Sequence, residues 1–482
     1  MTQLALTQGA YVARGLIANA QVCTNLYAEP NPQDAPFPVT HYPAPGLSVL
    51  SDFGGIYTGV VRGLYDASDG TVIAVIGPSV INWRGPGTSG HVLLGTISDS
   101  GNPVSIVDNQ DDVVLVDGTA NGWTFKLGNA NTPGALAPVA DPAFFGSTRV
   151  DFIDSFFVFN KPGTPTFYTS TAGAFLPLDA TYATPKLGWN DDLVACCALH
   201  DNVWLLGNTT TEIWFNSGGA TFAFSRMPNA ILQQGCVARF SPVIADNAVY
   251  WLSQDRWGRN MCMRGEGYAA KRVSTFAVED EWSKYDTLAD AIGMAYQIGG
   301  HEVVGLYFPT GNAWWAYDTS SGYWHDRTYG DLVTPWLPRC MAGWGAIAPS
   351  THPNSILAGD RSAPRILELS RMNYTDIGTP IVRQRAWPHA QADGKRLTHT
   401  RFAAAFDGSQ MAAPDQITLD WSDDYGHNFG TPLPQTVNDI NGGQYQWRRL
   451  GSARDRVYRL TWSQPGPVAL NGAWIDVLQQ GT

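Results

Sequence analysis

The chain has 482 residues, with 50 glycines, 31 prolines and a 12% aromatic content against only 15% charged residues. This composition argues against disorder and against a single core, and for a turn-rich all-β protein of two or three folding units. Thirty lysines and arginines against 42 acids leave a formal charge of −12, so the basic coat of a general nucleic-acid binder is absent. An acidic surface does suit a conduit through which DNA slides, because attraction would hold the DNA in place.

The start, Met1-Thr2-Gln3-Leu4-Ala5-Leu6, has no basic n-region or long apolar h-region, and no apolar run approaches a membrane span. Synthesis and folding in a cytoplasm-like compartment are expected. Residues 1–50 read as an ordered, extended strap. Proline recurs in Asn25-Leu26-Tyr27-Ala28-Glu29-Pro30-Asn31-Pro32, in Ala35-Pro36-Phe37-Pro38-Val39 and in Tyr42-Pro43-Ala44-Pro45-Gly46-Leu47, and each proline biases its predecessor to extended geometry. The interspersed Leu26, Tyr27, Phe37, Val39, Tyr42 and Leu47 give the strap something to bury.

Residues 51–370 carry a repeated apolar hairpin: Thr71 to Trp83, Asp112 to Phe125, Ser155 to Tyr168, Asn202 to Phe215, Ala248 to Met263, Glu302 to Tyr317 and Ser355 to Leu369. Their turns lie roughly 40 to 55 residues apart, a period that suits four-stranded blades. The most regular stretch runs from Gly299 to Arg327, three strands joined by turns at Pro309-Thr310-Gly311-Asn312 and at Asp318 to Gly322. Runs such as Phe156-Phe157-Val158-Phe159 and Ala248-Val249-Tyr250-Trp251-Leu252 are continuously apolar, as strands buried on both faces should be. The expected architecture is a β-propeller of six or seven blades. Thr287 to Tyr296 departs from the pattern and predicts a short helix or turn between blades, against which Gly293 counts.

Residues 371–482 change texture. Arginine and lysine cluster at Arg383, Arg385, Lys395, Arg396, Arg401, Arg448, Arg449, Arg454, Arg456 and Arg459, leaving this part near neutral while the first 370 residues hold nearly all the negative charge. The asymmetry marks a separate domain and a charge-complementary interface, with Arg448, Arg449, Arg454 and Arg456 as candidate interface residues; a solvated surface without a partner is the alternative. Strands at Gln416 to Trp421, Val457 to Trp462 and Val468 to Leu478 predict a small β-sandwich.

No catalytic, cofactor-binding or metal-binding residue is expected. The six cysteines (Cys23, Cys196, Cys197, Cys236, Cys262, Cys340) contain no C-x-x-C pair and read as buried free thiols. Ser422-Asp423-Asp424-Tyr425-Gly426-His427-Asn428-Phe429 resembles the Asp-box turn of sialidases, in which Ser and Asp bind the turn's own backbone; no arginine cluster or nucleophile of such an enzyme accompanies it. The carboxylate pairs Asp111-Asp112, Asp191-Asp192 and Asp423-Asp424 read as turn acids rather than as the facing pair that glycoside hydrolysis requires. His200-Asp201 and His325-Asp326 lack any nucleophile motif.

The strap motif Asn25-Leu26-Tyr27-Ala28-Glu29-x-Asn31-Pro32-x-Asp34-Ala35-Pro36 is followed by Tyr42-Pro43-x-Pro45-Gly46-Leu47. Val203 to Gly207, Glu212 to Phe215, Gly300-His301 to Phe308-Pro309, Trp314 to Arg327 and Arg454 to Leu460 continue the pattern. In this order the segments resemble the packaged-DNA stabilisation, or tail nozzle, proteins of short-tailed bacteriophages. The resemblance implies a structural virion protein of the tail, made in the host cytoplasm. It implies a hexameric ring below the portal and its adaptor that continues and closes the DNA channel without sequence-specific binding and carries fibres, spikes or a needle. It implies no catalytic residues. The alternative is a phage adhesin whose propeller loops contact a host glycan or protein, and a glycoside hydrolase domain is a third reading.

Overall fold

The computed structural model describes residues 2–4, 9–128, 133–219, 221–254, 257–344, 352, 354–407, 416–436 and 444–479. Five separate four-stranded antiparallel sheets follow one another: Val61 to Thr96, Ser105 to Pro138, Val150 to Pro185, Leu193 to Leu232 and Val243 to Arg272. A sixth blade, Ile292–Ile298, His301–Phe308, Ala313–Asp318 and Tyr323–Asp326, heads a larger sheet, and a seventh is built from Pro338–Trp344, Ser355–Asp360, Arg365–Ser370 and Gly46–Asp52.

The propeller therefore has seven blades. Gly46–Asp52 of the strap lies antiparallel to Arg365–Ser370, with Leu47 opposite Leu369 and Val49 opposite Leu367, so the last blade takes its outermost strand from the start of the chain. Closure of this kind ties the two ends of the propeller together and removes a free edge.

Seven hydrophobic cores separate the blades. One contains Ile73, Leu115 and Trp123 between blades one and two; the last contains Trp83, Val61, Trp344 and Leu357 and seals blade seven against blade one. Each hairpin recognised in the sequence forms the middle two strands of a blade. These strands are largely apolar because a neighbouring blade covers each face: Val72–Ile76, Asp112–Val116 and Ser79–Trp83 are buried at every position, with Asp112, Ser79 and Asn82 the polar exceptions.

The departure expected at Thr287 to Tyr296 holds as a turn between blades five and six over 288–290, where Ala291 N–H donates to the Leu288 carbonyl, and is corrected beyond it. Residues 292–298 form the innermost strand of blade six, paired along its length with His301–Phe308. The helix lies earlier, at Phe276–Trp282, where Thr275 accepts the Val278 N–H as N-cap. Gly293 suits the strand, since a Cβ there would fall 2.1 Å from the Ser241 carbonyl oxygen.

The C-terminal part is a β-sandwich. One sheet runs Gln444–Arg448, Leu397–Asp407, Ala469–Gln479, Val39–Pro43, Leu26–Pro30; the other runs Cys23–Thr24, Arg383–Ala386, Asp455–Trp462, Gln416–Ser422, Leu433–Thr436. Their shared core holds Leu26, Phe402, Trp447, Tyr458, Leu460 and Leu470. Strap residues thus supply strands to both sheets of the sandwich as well as to blade seven.

Candidate functional site

Two regions concentrate polar chemistry: the junction where the strap joins propeller to sandwich, and the propeller axis. At the junction Thr24 pairs in parallel with Asp326, the last strand residue of blade six, and its hydroxyl donates to the Asp326 carboxylate at 3.0 and 2.8 Å. Desolvation pushes Asp326 up to about 6 despite this bond. Asn25 follows in a left-handed conformation, φ 56°, which asparagine tolerates better than most residues. Its side-chain amide donates to Thr328 Oγ1 and to the Val382 carbonyl, both at 2.8 Å, and its Oδ1 accepts the Thr328 N–H at 3.0 Å.

On the same blade His301 bridges the strap. Its Nδ1 meets Asp318 Oδ2 at 2.7 Å and its Nε2 meets Glu29 Oε1 at 3.1 Å, while Tyr27 stands edge-on to the ring at 5.0 Å. The hydrogen bond to Asp318 raises His301 above its ordinary value against the opposing pull of burial. Burial pushes Asp318 up, but the bonds from His301 and Ser321 outweigh it and hold the carboxyl low.

Three buried arginines complete the junction. Arg327 lies over the Trp336 ring at 3.8 Å and donates to the Pro45 carbonyl; Arg383 donates to the Gln464 carbonyl; Arg385 reaches Gly9 O, Val22 O and Gln21 Oε1. Burial lowers all three, Arg383 to about 10. Asp376 sits among them, raised to about 6 by desolvation, and accepts from Leu47 N–H and Trp336 Nε1. His41 and His325, also buried here, are kept neutral by the same desolvation.

Along the axis, arginines gather where the inner strands begin: Arg62, Arg149, Arg239 and Arg339. Arg62 is fully engaged with the Asn102, Gly77 and Ser98 carbonyls, Ser100 and the buried Asp117, and Arg149 pairs with Asp151. The opposite face carries acids in the turns that follow the inner strands, among them Asp69, Asp111, Asp154, Asp201 and Asp246. Both ends carry both signs: Asp111 pairs with Lys126 and Asp246 with Arg264, while Asp290 lines the same cavity as Arg239 and Arg339.

The residues singled out in the sequence are not brought together. Arg448, Arg449 and Arg454 are exposed on the sandwich, whereas Arg456 is buried and bonded bidentately to Asp423 at 2.6 and 2.8 Å. Ser422 and Asp424 organise their own turn, accepting Gly426 N–H and Asn428 N–H at 2.8 and 2.9 Å; the Ser422 hydroxyl, which donates to Asp424 Oδ1, and then Asn428 hold Asp424 down at about 2. Asp111 and Asp112 share Lys126, Asp191 caps Thr209 and Thr210 and pairs with the buried Lys186, and His200-Asp201 forms an exposed hairpin turn. Asn25 was legible as the start of the strap motif but not as the residue that bonds to Thr328 and Val382, and Arg62, Arg149, Arg239 and Arg339 were not singled out. Those arginines stand at the threshold of alternate inner strands, those of blades one, three, five and seven.

No helix among the described residues is long and apolar enough to cross a membrane. No curated protein matches this sequence. Among solved structures, the extracellular domain of the B. thetaiotaomicron one component system BT4673 aligns at 9% identity and TM-score 0.42, over 82% of this chain and 48% of that one. This chain thus spans about half the length of that relative. A chain of the S. cerevisiae Dbp5 complex with Nup159, Gle1, IP6 and ADP aligns at 9% identity and TM-score 0.40, over 72% and 99% of the two chains. Chaetomium thermophilum Raptor aligns at 9% identity and TM-score 0.41, over 67% and 29%. Similarity this low says nothing about function.

The family profiles are specific. The bacteriophage P22 Gp10 β-propeller matches residues 2–373 and the Gp10 β-sandwich matches residues 382–478. With both domains matched in the order the fold places them, the chain belongs to the bacteriophage P22 Gp10 family, structural virion proteins that stabilise packaged DNA.

Proposed function

We propose that this chain is one wall segment of a hexameric tail ring that sits below the portal and its adaptor, continues and closes the DNA channel, and anchors fibres, spikes or a needle. The observation that carries the reading is the way residues 23–52 lock the molecule: one strap closes blade seven, extends blade six and supplies strands to both sheets of the sandwich. A wall segment loaded by packaged DNA has to transmit force between its domains without opening, and such cross-pairing resists opening better than a single linker would. The DNA conduit would then lie between copies. The working units are the strap (1–50), the propeller (51–370) and a platform (371–482), with Arg448, Arg449 and Arg454 as the exposed part of the candidate subunit interface.

Virions assembled without this protein test the proposal. Heads that package DNA and then lose it support closure. Heads that keep their DNA but fail to adsorb to cells overturn it in favour of host-surface binding.

A further inference from the structure

The face of the propeller where the inner strands begin holds two arginines that no carboxylate among the described residues neutralises. Arg239 donates to Asn102 Oδ1 at 3.2 Å and lies over the Phe240 ring at 4.8 Å. Arg339 donates to the Gly101 carbonyl and leaves a buried Nε without a partner. Neither forms an ion pair with a carboxylate among the described residues, whereas Arg62, which reaches the same 98–102 loop, has Asp117. Desolvation already lowers Arg339, and Arg62 repels it. Two half-buried guanidiniums anchored on adjacent residues are thus left with cationic charge in a chain whose formal charge is −12.

Both line one cavity of about 570 Å³, within the size range of ligand sites. Its other walls are largely apolar: Pro103, Val194, Val237, Phe240, Ile292 and Pro309. Asp290 is the single acid on the lining; its Oδ2 is engaged by Thr310 N–H and Oγ1, and its buried Oδ1 has no hydrogen-bond partner, so two guanidiniums face one carboxylate there.

We propose that this cavity binds a peptide segment of another virion protein that presents a carboxylate flanked by apolar side chains. Guanidinium forks recognise carboxylates through paired charge-assisted hydrogen bonds, and the apolar walls would cover the flanking residues. Apolar walls favour a peptide over a nucleic-acid backbone, which offers phosphates without an apolar flank. Several blades contribute to the lining, so the site exists only in the closed propeller. It does not depend on the ring reading above.

Calorimetric titration of the full-length chain tests this with three probes: acetyl-Leu-Glu-Glu-Leu-amide, its glutamine counterpart, and inorganic phosphate. The acidic peptide is expected to bind at least about tenfold more tightly than the glutamine peptide and than phosphate. R239Q and R339Q should each weaken it about tenfold, with R339K retaining part of the affinity. Should R339Q fail to fold, R239Q decides, because Arg239 is half-exposed and makes one side-chain hydrogen bond. Equal affinity for the two peptides, phosphate binding as tight as the acidic peptide, unchanged binding in folded R239Q, or no heat from the acidic peptide at millimolar concentration would each overturn the proposal.

Discussion

Asn25 and Thr328, 303 residues apart, hold each other through two hydrogen bonds: the Asn25 amide donates to Thr328 Oγ1 and the Thr328 N–H donates to Asn25 Oδ1. A third bond from the same amide reaches the Val382 carbonyl at the entrance to the sandwich. One side chain therefore joins strap, blade six and sandwich. Asn25→Ala removes all three bonds, strands the buried Thr328 N–H and places alanine at a positive φ. The expected cost is about 3 kcal/mol, read as a lower melting temperature and faster proteolysis within the strap. Asn25→Asp keeps the acceptor for Thr328 N–H but sets a buried carboxylate oxygen against the Val382 carbonyl, and should cost at least as much; a loss clearly smaller than that of Asn25→Ala would mean that the bond donated to Val382 contributes little.

The His301 bridge makes the strap contact depend on pH. His301 is raised, so its charged contribution is fully present below its ordinary 6.5 and is lost as pH rises through its higher folded value. Asp318 is lowered, so its contribution is present above its ordinary 3.8 and is lost as pH falls through its lower folded value. The pair is strongest between these limits. His301→Gln should lower stability by about 1 kcal/mol near pH 5, discounted for the partly exposed Glu29, and by less near pH 9. A penalty that stays constant between these two conditions would show that the charged pair is not what His301 contributes.

Much of the propeller was legible because its middle strands are buried on both faces: Phe157, Val158 and Phe159, or Val249 to Leu252, can only be core. The inner and outer strands were not, since one face meets the axis or solvent. Val150–Ile153 and Phe224–Leu232 mix buried and exposed positions without strict alternation. Ile292–Ile298 does alternate in burial, but its apolar positions also fit a short helix, and Gly293, required by the close approach of the Ser241 carbonyl, gave no strand signal. The strap's proline-rich extension was readable, but its destinations were not, because pairings such as Leu47 with Leu369 or Thr24 with Asp326 join residues some 300 positions apart. Local sequence cannot choose between such partners. The axial arginines were invisible as a group for the same reason.

The basic residues of the sandwich divide into two kinds that one experiment separates. Arg456 is buried, donates to the Leu450 carbonyl and to both Asp423 oxygens, and stacks near Trp421 at 4.9 Å. Arg456→Glu sets a carboxylate beside Asp423 and should cost about 3 kcal/mol of stability. Arg448, Arg449 and Arg454 are exposed, and their combined reversal to glutamate should leave the melting temperature within about 2 °C of the parent. If they meet the acidic propeller of a neighbour, the triple variant should weaken ring assembly by about tenfold or more, measured by analytical ultracentrifugation or by tail reconstitution. Unaltered assembly would remove these arginines from the interface.

The cysteines report which part of the molecule opens. Cys196 and Cys197 are adjacent in one strand and point to opposite faces, Cys196 into the core between blades three and four and Cys197 into the core between blades four and five. Cys23 lies in the sandwich core. Burial pushes Cys23, Cys197, Cys236 and Cys340 up to about 12 and raises Cys196 and Cys262 as well. A thiol reagent attacks the thiolate, so near pH 8 the folded chain should label slowly, while the denatured chain should label at all six positions. Asn25→Ala loosens the strap, and Cys23 precedes Asn25 by two residues. In that variant Cys23 should label at least about tenfold faster, with Cys197 unchanged, because local opening is governed by the contacts of the segment that opens. Acceleration of both thiols together would mean that strap, propeller and sandwich open as one cooperative unit, and that the bonds of Asn25 set the stability of the whole chain rather than of its junction.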